Sequence, residues 1–304
     1  MNKEYDVVII GGGPAGLSAG IYTARARLNS LLIEKGAVGG LIVNAELVEN
    51  YPGFSEGISG YELTESMNKQ AIKFGLETLL AEATGIELKG GQRVIKTTEG
   101  NFIAKAVIIA SGSDRIQLGV PGEKEFTGKG VSYCAACDAY FFRERPVAVV
   151  GGGNAAINEA LQLTKFASKV IVIHRRHQLR ASRILQEKAF AEPKIEFLWN
   201  TIVEEIKGED VVKRLNLHNV ITREKSTLDL AGIFMSIGFK PNTAYLKETL
   251  PLDAAGYITT NEKMETGIPG IFAAGDIRYN SARQAVTAAG DGVTAALYSE
   301  KFIR

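Results

Sequence analysis

Cysteine is almost missing from this chain of 304 residues: there are two, Cys134 and Cys137, in a single Cys-x-x-Cys. A disulfide-stapled secreted fold spreads several cysteines along its length, so one close pair predicts redox chemistry in a reducing compartment, with the cytoplasm as default. Net charge is missing too, since 35 Lys plus Arg stand against 34 Asp plus Glu. Such a balance offers no global field to nucleic acid or an anionic membrane, so neither is expected as a partner and any anion must be recognised locally. No apolar run reaches the roughly 18 residues of a membrane span. The opening MNKEYD before VVII is expected to be neither a signal peptide nor an anchor. With 45% hydrophobic and 23% charged residues and no excess of Pro or Ser, disorder and collagen-like repeats are excluded. The length is about twice that of a usual single domain and predicts two.

What is abundant is glycine, 33 residues, well above the average usage of about 7%. From Tyr5 the chain runs YDVVII, GGGPAG, then LSAGIYTARA: an apolar strand, a Gly-rich turn and a helix. The turn fits G-x-G-x-x-G at Gly11, Gly13 and Gly16, and the next apolar run, SLLIEK, ends on Glu34. Glycines let the backbone turn tightly and approach a pyrophosphate, the helix N-terminus offers free N–H groups, and the acid can accept from a ribose hydroxyl. This predicts a dinucleotide site.

The same grammar returns at Pro146: PVAVV, GGGNAA, the helical INEALQLTKF and the strand-like KVIVIH. Here Gly151 and Gly153 are followed by Ala156, the variant in which alanine takes the helix–strand packing position. Gly11 to Glu34 spans 23 residues, and so does Gly151 to His174. Where the first unit has an acid, the second has His174, Arg175, Arg176 and then Arg180. Guanidinium groups bind a 2′-phosphate that an acid would repel, so the second site reads as NADP(H) unless these arginines are an ordinary solvated run.

Each half also carries a later apolar strand ending on glycine, KAVIIASGS at 105–113 and LAGIFMSIGFKPN at 230–242. The remaining sequence holds GIPGIFAAGDIR and the helical SARQAVTAAGDGVTAALYSEKFI, too little for a third unit. We therefore expect this tail to complete the first domain. The predicted fold is α/β, with two Rossmann-like dinucleotide-binding domains of three-layer ββα form, the second inserted into the first. Their expected extents are 1–115 with 244–304 for the first and 116–243 for the second.

A Cys-x-x-Cys is either redox-active or half of a zinc site. Zinc would need further thiolates or imidazoles, yet the chain has no other Cys, and His174, His177 and His218 are scattered. No metal site is expected. A redox pair needs a leaving group and a proton source, and Asp138, next to Cys137, is a candidate general acid, or else a cap on the helical run that follows.

Together these motifs resemble the low-molecular-weight thioredoxin reductases, a family of flavoprotein disulfide reductases. The likeness covers essentially the whole chain: GGGPAGLSAGIY near the start, VENYPGF at 48–54, CAACD at 134–138, GGGNAAINEA, HRRHQLRAS at 174–182 and GDIRYNSARQ at 275–284. It implies FAD in the interrupted domain. Gly11, Gly13, Pro14, Ala15, Gly16, Glu34 and Lys35 would hold the ADP half, with Gly40, Leu41, Asn50 and Gly112 nearby. Gly275 and Asp276 would sit near the ribityl and pyrophosphate, and Arg283, Gln284 and Ala285 beside the flavin ring. It implies NADPH in the inserted domain, on Gly151, Gly153, Asn154, Ala155, Ala156, His174, Arg175, Arg176 and Arg180. By the same resemblance, Cys137 would face the flavin and Cys134 would attack the partner disulfide. A thioredoxin-like protein would be the electron acceptor and the enzyme a homodimer.

Two departures stand out: Leu41 replaces the family's usual Gln after Gly39-Gly40, and Ala139 replaces the glycine that usually follows Cys-Asp. The cysteine pair lies 14 residues before Gly151, in the inserted domain. If nicotinamide and disulfide compete for the flavin, that domain must rotate, with 113–117 and 241–245 as candidate hinges. Tyr140, Phe141, Phe142, Arg143 and Arg145 follow the pair as candidate docking anchors, the two phenylalanines being equally suited to core packing. Two other readings remain: a reductase of another protein disulfide carrier, and a non-catalytic flavin-binding sensor, which would have no reason to keep Cys134, Cys137 and Asp138.

Overall fold

The strand that opens the chain alternates its side chains between two cores, as a central parallel strand must. Val7 and Ile9 pack with helical residues, while Val8 and Ile10 pack against a β layer. The computed structural model describes residues 3–45, 47–246 and 249–304. The chain divides into two compact units, Met1–Asp114 with Lys240–Arg304, and Arg115–Phe239.

The first unit begins with β1 (Lys3–Ile10), α1 (Pro14–Arg25), β2 (Ser30–Glu34), α2 (Gly60–Lys73) and β3 (Glu77–Leu80). It continues through β4 (Ala83–Lys89), β5 (Gln92–Thr97), β6 (Gly100–Ile109) and β7 (Ser113–Arg115). The second holds β8 (Val131–Ser132), α3 (Ala135–Asp138), β9 (Pro146–Val150), α4 (Asn154–Leu163), β10 (Lys169–Ile173), α5 (Arg183–Ala191) and β11 (Ile195–Leu198). An antiparallel trio follows, β12 (Thr201–Gly208), β13 (Val212–Asn219) and β14 (Lys225–Asp229), and then β15 (Gly232–Met235). The chain returns through β16 (Phe239–Pro241), β17 (Ile271–Ala273) and α6 (Ala285–Ile303).

In the first unit β3, β2, β1 and β6 run parallel in that order, and β17 joins the far half of β6. The near half of β6 instead starts the antiparallel meander with β5 and β4. Helices α1, α2 and α6 cover one face. The tail is thus an integral part of this sheet and helix layer. Its helix packs so tightly on α1 that a Cβ added at Gly292 would run into the Ala15 carbonyl. Helix α6 starts at Ala285 rather than at the beginning of SARQ, because Arg283 sits at φ 54 and Gln284 is extended as the N-cap.

The second unit repeats the plan. Its parallel sheet runs β11-β10-β9-β15-β8, with α3, α4 and α5 against one face and the β12–β14 trio against the other. The two crossings pair as β7 and β16. Asn242 N–H donates to the Gly112 carbonyl at 3.0 Å, and Ile116 N–H to the Gly238 carbonyl at 3.1 Å. Among the described residues no helix is long and apolar enough to cross a membrane.

Candidate functional site

At the first turn, Gly11 takes φ +108, a conformation that glycine adopts freely. At Gly16 an added Cβ would meet the Gly11 carbonyl, which is how α1 seats against the turn. Gly13 faces open space except for Gly40, whose Cα would lie 3.8 Å from a Cβ there. Helix α1 has Gly13 as N-cap with no side-chain cap, and Pro14 stands at its start. The acid stands in register: Glu34 accepts from Gly12 N–H at 2.7 Å and from Gly36 N–H at 2.9 Å. A glycine-lined hollow, an uncapped helix start and an anchored carboxylate suit the pyrophosphate and ribose of a dinucleotide. Lys35 and Leu41 are exposed, the latter in a 3₁₀ turn from Gly40 to Asn44.

The remaining residues that the resemblance assigned to flavin also gather in this unit. Asn50 Nδ2 donates to Gln284 Oε1 at 3.1 Å, bridging 234 positions of sequence. Ser281 donates to Asp276 at 2.9 Å, and Arg283 reaches the Tyr257 hydroxyl at 3.2 Å. Sequence reading missed the support behind Gly275. Asp291, on α6, accepts from Gly275 N–H at 3.1 Å and from Arg278 at 2.7 Å. It also missed Tyr245, which shares a 3.1 Å hydrogen bond with Ser111 beside Gly112 and whose hydroxyl burial pushes strongly upward in pKa.

At the second turn, α4 starts from Gly153, again without a side-chain cap, and an added Cβ on Gly153 meets nothing within 4 Å. The arginine loop is stitched to this turn. Gly152 carbonyl accepts from Arg180 N–H at 2.7 Å and Ala181 N–H at 3.2 Å, while Asn154 Oδ1 accepts from Ser182 N–H at 2.8 Å. Arg175, Arg176 and Arg180 are exposed beside it. His174 differs from them, being buried with its ring over Gly152 and 3.1 Å from the Gln178 carbonyl. Burial, and then the three arginines, hold its pKa below the usual range, outweighing the Gln178 carbonyl, which favours its charge.

Cys134 and Cys137 form a disulfide with Cα atoms 5.3 Å apart, Cys134 being the N-cap of α3. Cys137 is exposed and Cys134 half-buried. Asp138 makes no side-chain cap, so the capping alternative falls away. Instead it accepts from the Ser132 hydroxyl at 2.6 Å, and the same hydroxyl oxygen accepts from Cys134 N–H at 3.1 Å. Ala139, at φ −55, needs no left-handed conformation, so the missing glycine costs the backbone nothing. Before the pair, Tyr133 donates to the buried Glu123 at 2.9 Å, and burial with that contact pushes its pKa up to about 12. Glu123 also accepts from Leu118 and Gly119 N–H, at 3.0 and 2.7 Å. Phe142 belongs to the core, edge-on to Phe234 at 5.2 Å, whereas Tyr140, Phe141, Arg143 and Arg145 are exposed. Among the described residues no cluster of His, Cys, Asp or Glu could hold a metal.

Two nucleotide turns and one disulfide define a class of pyridine-nucleotide-linked redox enzyme. The chain belongs to the pyridine nucleotide-disulphide oxidoreductase family, which it matches over residues 5–292. Among curated relatives it is 46% identical over 309 residues to a thioredoxin reductase of Peptoclostridium acidaminophilum, covering 100% of this chain and 98% of that protein. It is 47% identical over 302 residues to one of Bacillus subtilis, covering 99% and 95%. The crystal structure of thioredoxin reductase from Streptococcus pyogenes is similar with a TM-score of 0.95 at 44% identity, covering 100% of this chain and 99% of that one.

Proposed function

We infer that the chain is a thioredoxin-disulfide reductase that uses NADPH and FAD. The observation that carries this reading is the Cys134–Cys137 disulfide, in the same unit as the arginine-flanked turn and beside a fixed carboxyl group. The first unit would hold FAD on Gly11, Gly13, Gly16, Gly40 and Glu34, with Asn50 nearby, Asp276 toward the ribityl and pyrophosphate, and Arg283 and Gln284 toward the ring. When bound, that group supplies a two-electron relay between nicotinamide and disulfide.

Residues of this chain do the rest. Arg175, Arg176 and Arg180 select the 2′-phosphate, and the amides at the start of α4 receive the pyrophosphate. Once two electrons have opened the disulfide, Cys134 as thiolate attacks one sulfur of the partner's disulfide and the partner's other sulfur leaves with a proton. Cys137 then attacks Cys134 Sγ, re-forming the internal disulfide and releasing the second partner thiol. Asp138, oriented by Ser132, holds and delivers the proton that the leaving thiolate needs. Exposed Tyr140, Phe141, Arg143 and Arg145 offer aromatic and basic anchors for a protein acceptor. The enzyme would act as a homodimer in the cytoplasm; its mass by sedimentation tests the first point.

Anaerobic titration of the purified yellow protein with NADPH, followed by oxidised carriers, tests the reading. Bleaching by NADPH and recolouring by thioredoxin, but not by glutathione disulfide, is the expected result. Equal efficiency with small disulfides would overturn the protein-acceptor assignment.

A further inference from the structure

Glu159 lies on α4, the helix of the second nucleotide turn, and no other side chain between Asn154 and Leu163 is charged. Its carboxylate faces the backbone N–H of Ala135, the residue after Cys134, and the hydroxyl of Ser236, which follows β15. Ser236 belongs to the nucleotide turn as well: its N–H donates to the Val150 carbonyl at 2.9 Å, and a Cβ on Gly151 would meet its own carbonyl oxygen. Oε2 of Glu159 is buried without a hydrogen-bond partner. A buried, incompletely paired carboxylate is costly and needs a reason to stand where it does.

We propose that Glu159 is a positioning residue for the redox pair: it holds the first amide of the Cys134–Cys137 turn against the nucleotide-binding helix and sets the ionisation of the thiol pair once the disulfide is opened. This rests on reading Cys134 and Cys137 as the redox pair. Burial pushes the Glu159 pKa up to about 7, outweighing the Ser236 and Ala135 contacts that favour its charge. Its ionisation and that of a nearby thiol are then coupled, because two negative charges in one poorly solvated place oppose each other. The titrating groups on and next to α3 are Cys134, Cys137, Asp138, Tyr133 and Tyr140; Asp138 is turned to Ser132, Tyr133 donates to Glu123, and Tyr140 is exposed. The end of β15 contributes only Ser236. Helix α5, packed on α4, carries Arg183, Glu187 and Lys188, all exposed. None of these charges enters the Glu159 shift, which burial dominates. With Glu159 ionised, thiolate formation at the pair is suppressed; with it protonated or neutral, the thiolate forms more readily.

The test uses the whole purified chain, reduced with dithiothreitol, and needs neither nucleotide nor carrier, so its failure is separable from failure of the functional reading. The rate of iodoacetamide alkylation of Cys134 and Cys137 is followed by peptide mass spectrometry from pH 6 to 9. Glu159→Gln keeps an oxygen for the Ala135 amide but removes the charge, and it should speed alkylation at pH 8 by about threefold or more through a lowered thiol pKa. Glu159→Asp restores a charge and should return the profile toward wild type. Profiles for Glu159→Gln and wild type that coincide across this range would overturn the proposal, as would a Glu159→Asp profile identical to that of Glu159→Gln. Circular dichroism establishes that each variant is folded. If Glu159→Gln is not, Glu159→Ala decides by the same criterion: faster alkylation than wild type at pH 8 supports the proposal, and a coincident profile overturns it.

Discussion

Ser132 and Asp138 are joined by a 2.6 Å hydrogen bond across the mouth of the redox turn, with the serine hydroxyl donating. That serine lies on the edge strand β8, next to β15. Asp138 is therefore aimed by the sheet rather than by its own short helix.

Removing this aim should slow the enzyme without touching either sulfur. If Asp138 is the proton carrier proposed above, Asp138→Asn is expected to cost about 10²-fold or more in carrier reduction. Ser132→Ala leaves the carboxylate free to turn and should cost less, about tenfold. Stopped-flow reoxidation by thioredoxin measures both, and a Ser132→Ala rate equal to wild type would remove the serine from the mechanism.

Cys134→Ser and Cys137→Ser should each abolish carrier reduction yet leave reduction of the flavin by NADPH intact, since hydride transfer involves no sulfur. Only Cys134→Ser retains the thiol assigned to the flavin side, so it alone should show a thiolate-to-flavin charge-transfer band. The band in Cys137→Ser instead would reverse the two roles.

Arg175 and Arg176 stand beside a turn whose carbonyl, at Gly152, is already fastened to Arg180 N–H. Replacing both by Ala should remove charge-assisted bonds worth about 1.5–3 kcal/mol each. Steady-state kinetics should then show the NADPH advantage collapsing while NADH turnover changes little. Equal use of both nucleotides by the unmodified enzyme would refute the phosphate assignment.

Glu159 makes a prediction for stability as well. Its pKa rises from an ordinary 4.5 to about 7 on folding, so the native state keeps a proton that the unfolded chain has lost. Stability should therefore fall as pH climbs between those values and level off above them, by roughly 3 kcal/mol in all. Melting curves from pH 5 to 8 should show Glu159→Gln gaining on wild type as pH rises. A constant difference would mean that the carboxyl is not raised.

Features set by neighbours in sequence were legible before the structure. Strand, turn and helix around Gly11 and Gly151 follow from apolar runs broken by glycine, and the α/β class follows from their repetition. The Cys-x-x-Cys is local in the same sense. What escaped was decided by distant packing. Nothing in the composition of β8 marks Ser132, nor does the periodicity of α4 mark Glu159 as facing a cysteine turn. Asp291 reads as one more polar residue of a small-residue helix until α6 brings it to Gly275. Nor does the register of His174 beside the three arginines show that its ring is buried over Gly152 while theirs are exposed.

The interruption of the first unit also orders events in time. On a ribosome, Arg115–Phe239 is synthesised as one uninterrupted stretch and can close its sheet while β17 and α6 are still unmade. The surrounding unit must meanwhile wait with the β6 edge meant for β17 unpaired and with Ala15 not yet covered by Gly292. Its glycine-lined hollow can be finished only after translation has passed Asp291, which fastens Gly275, and a stalled nascent chain would expose the waiting edge.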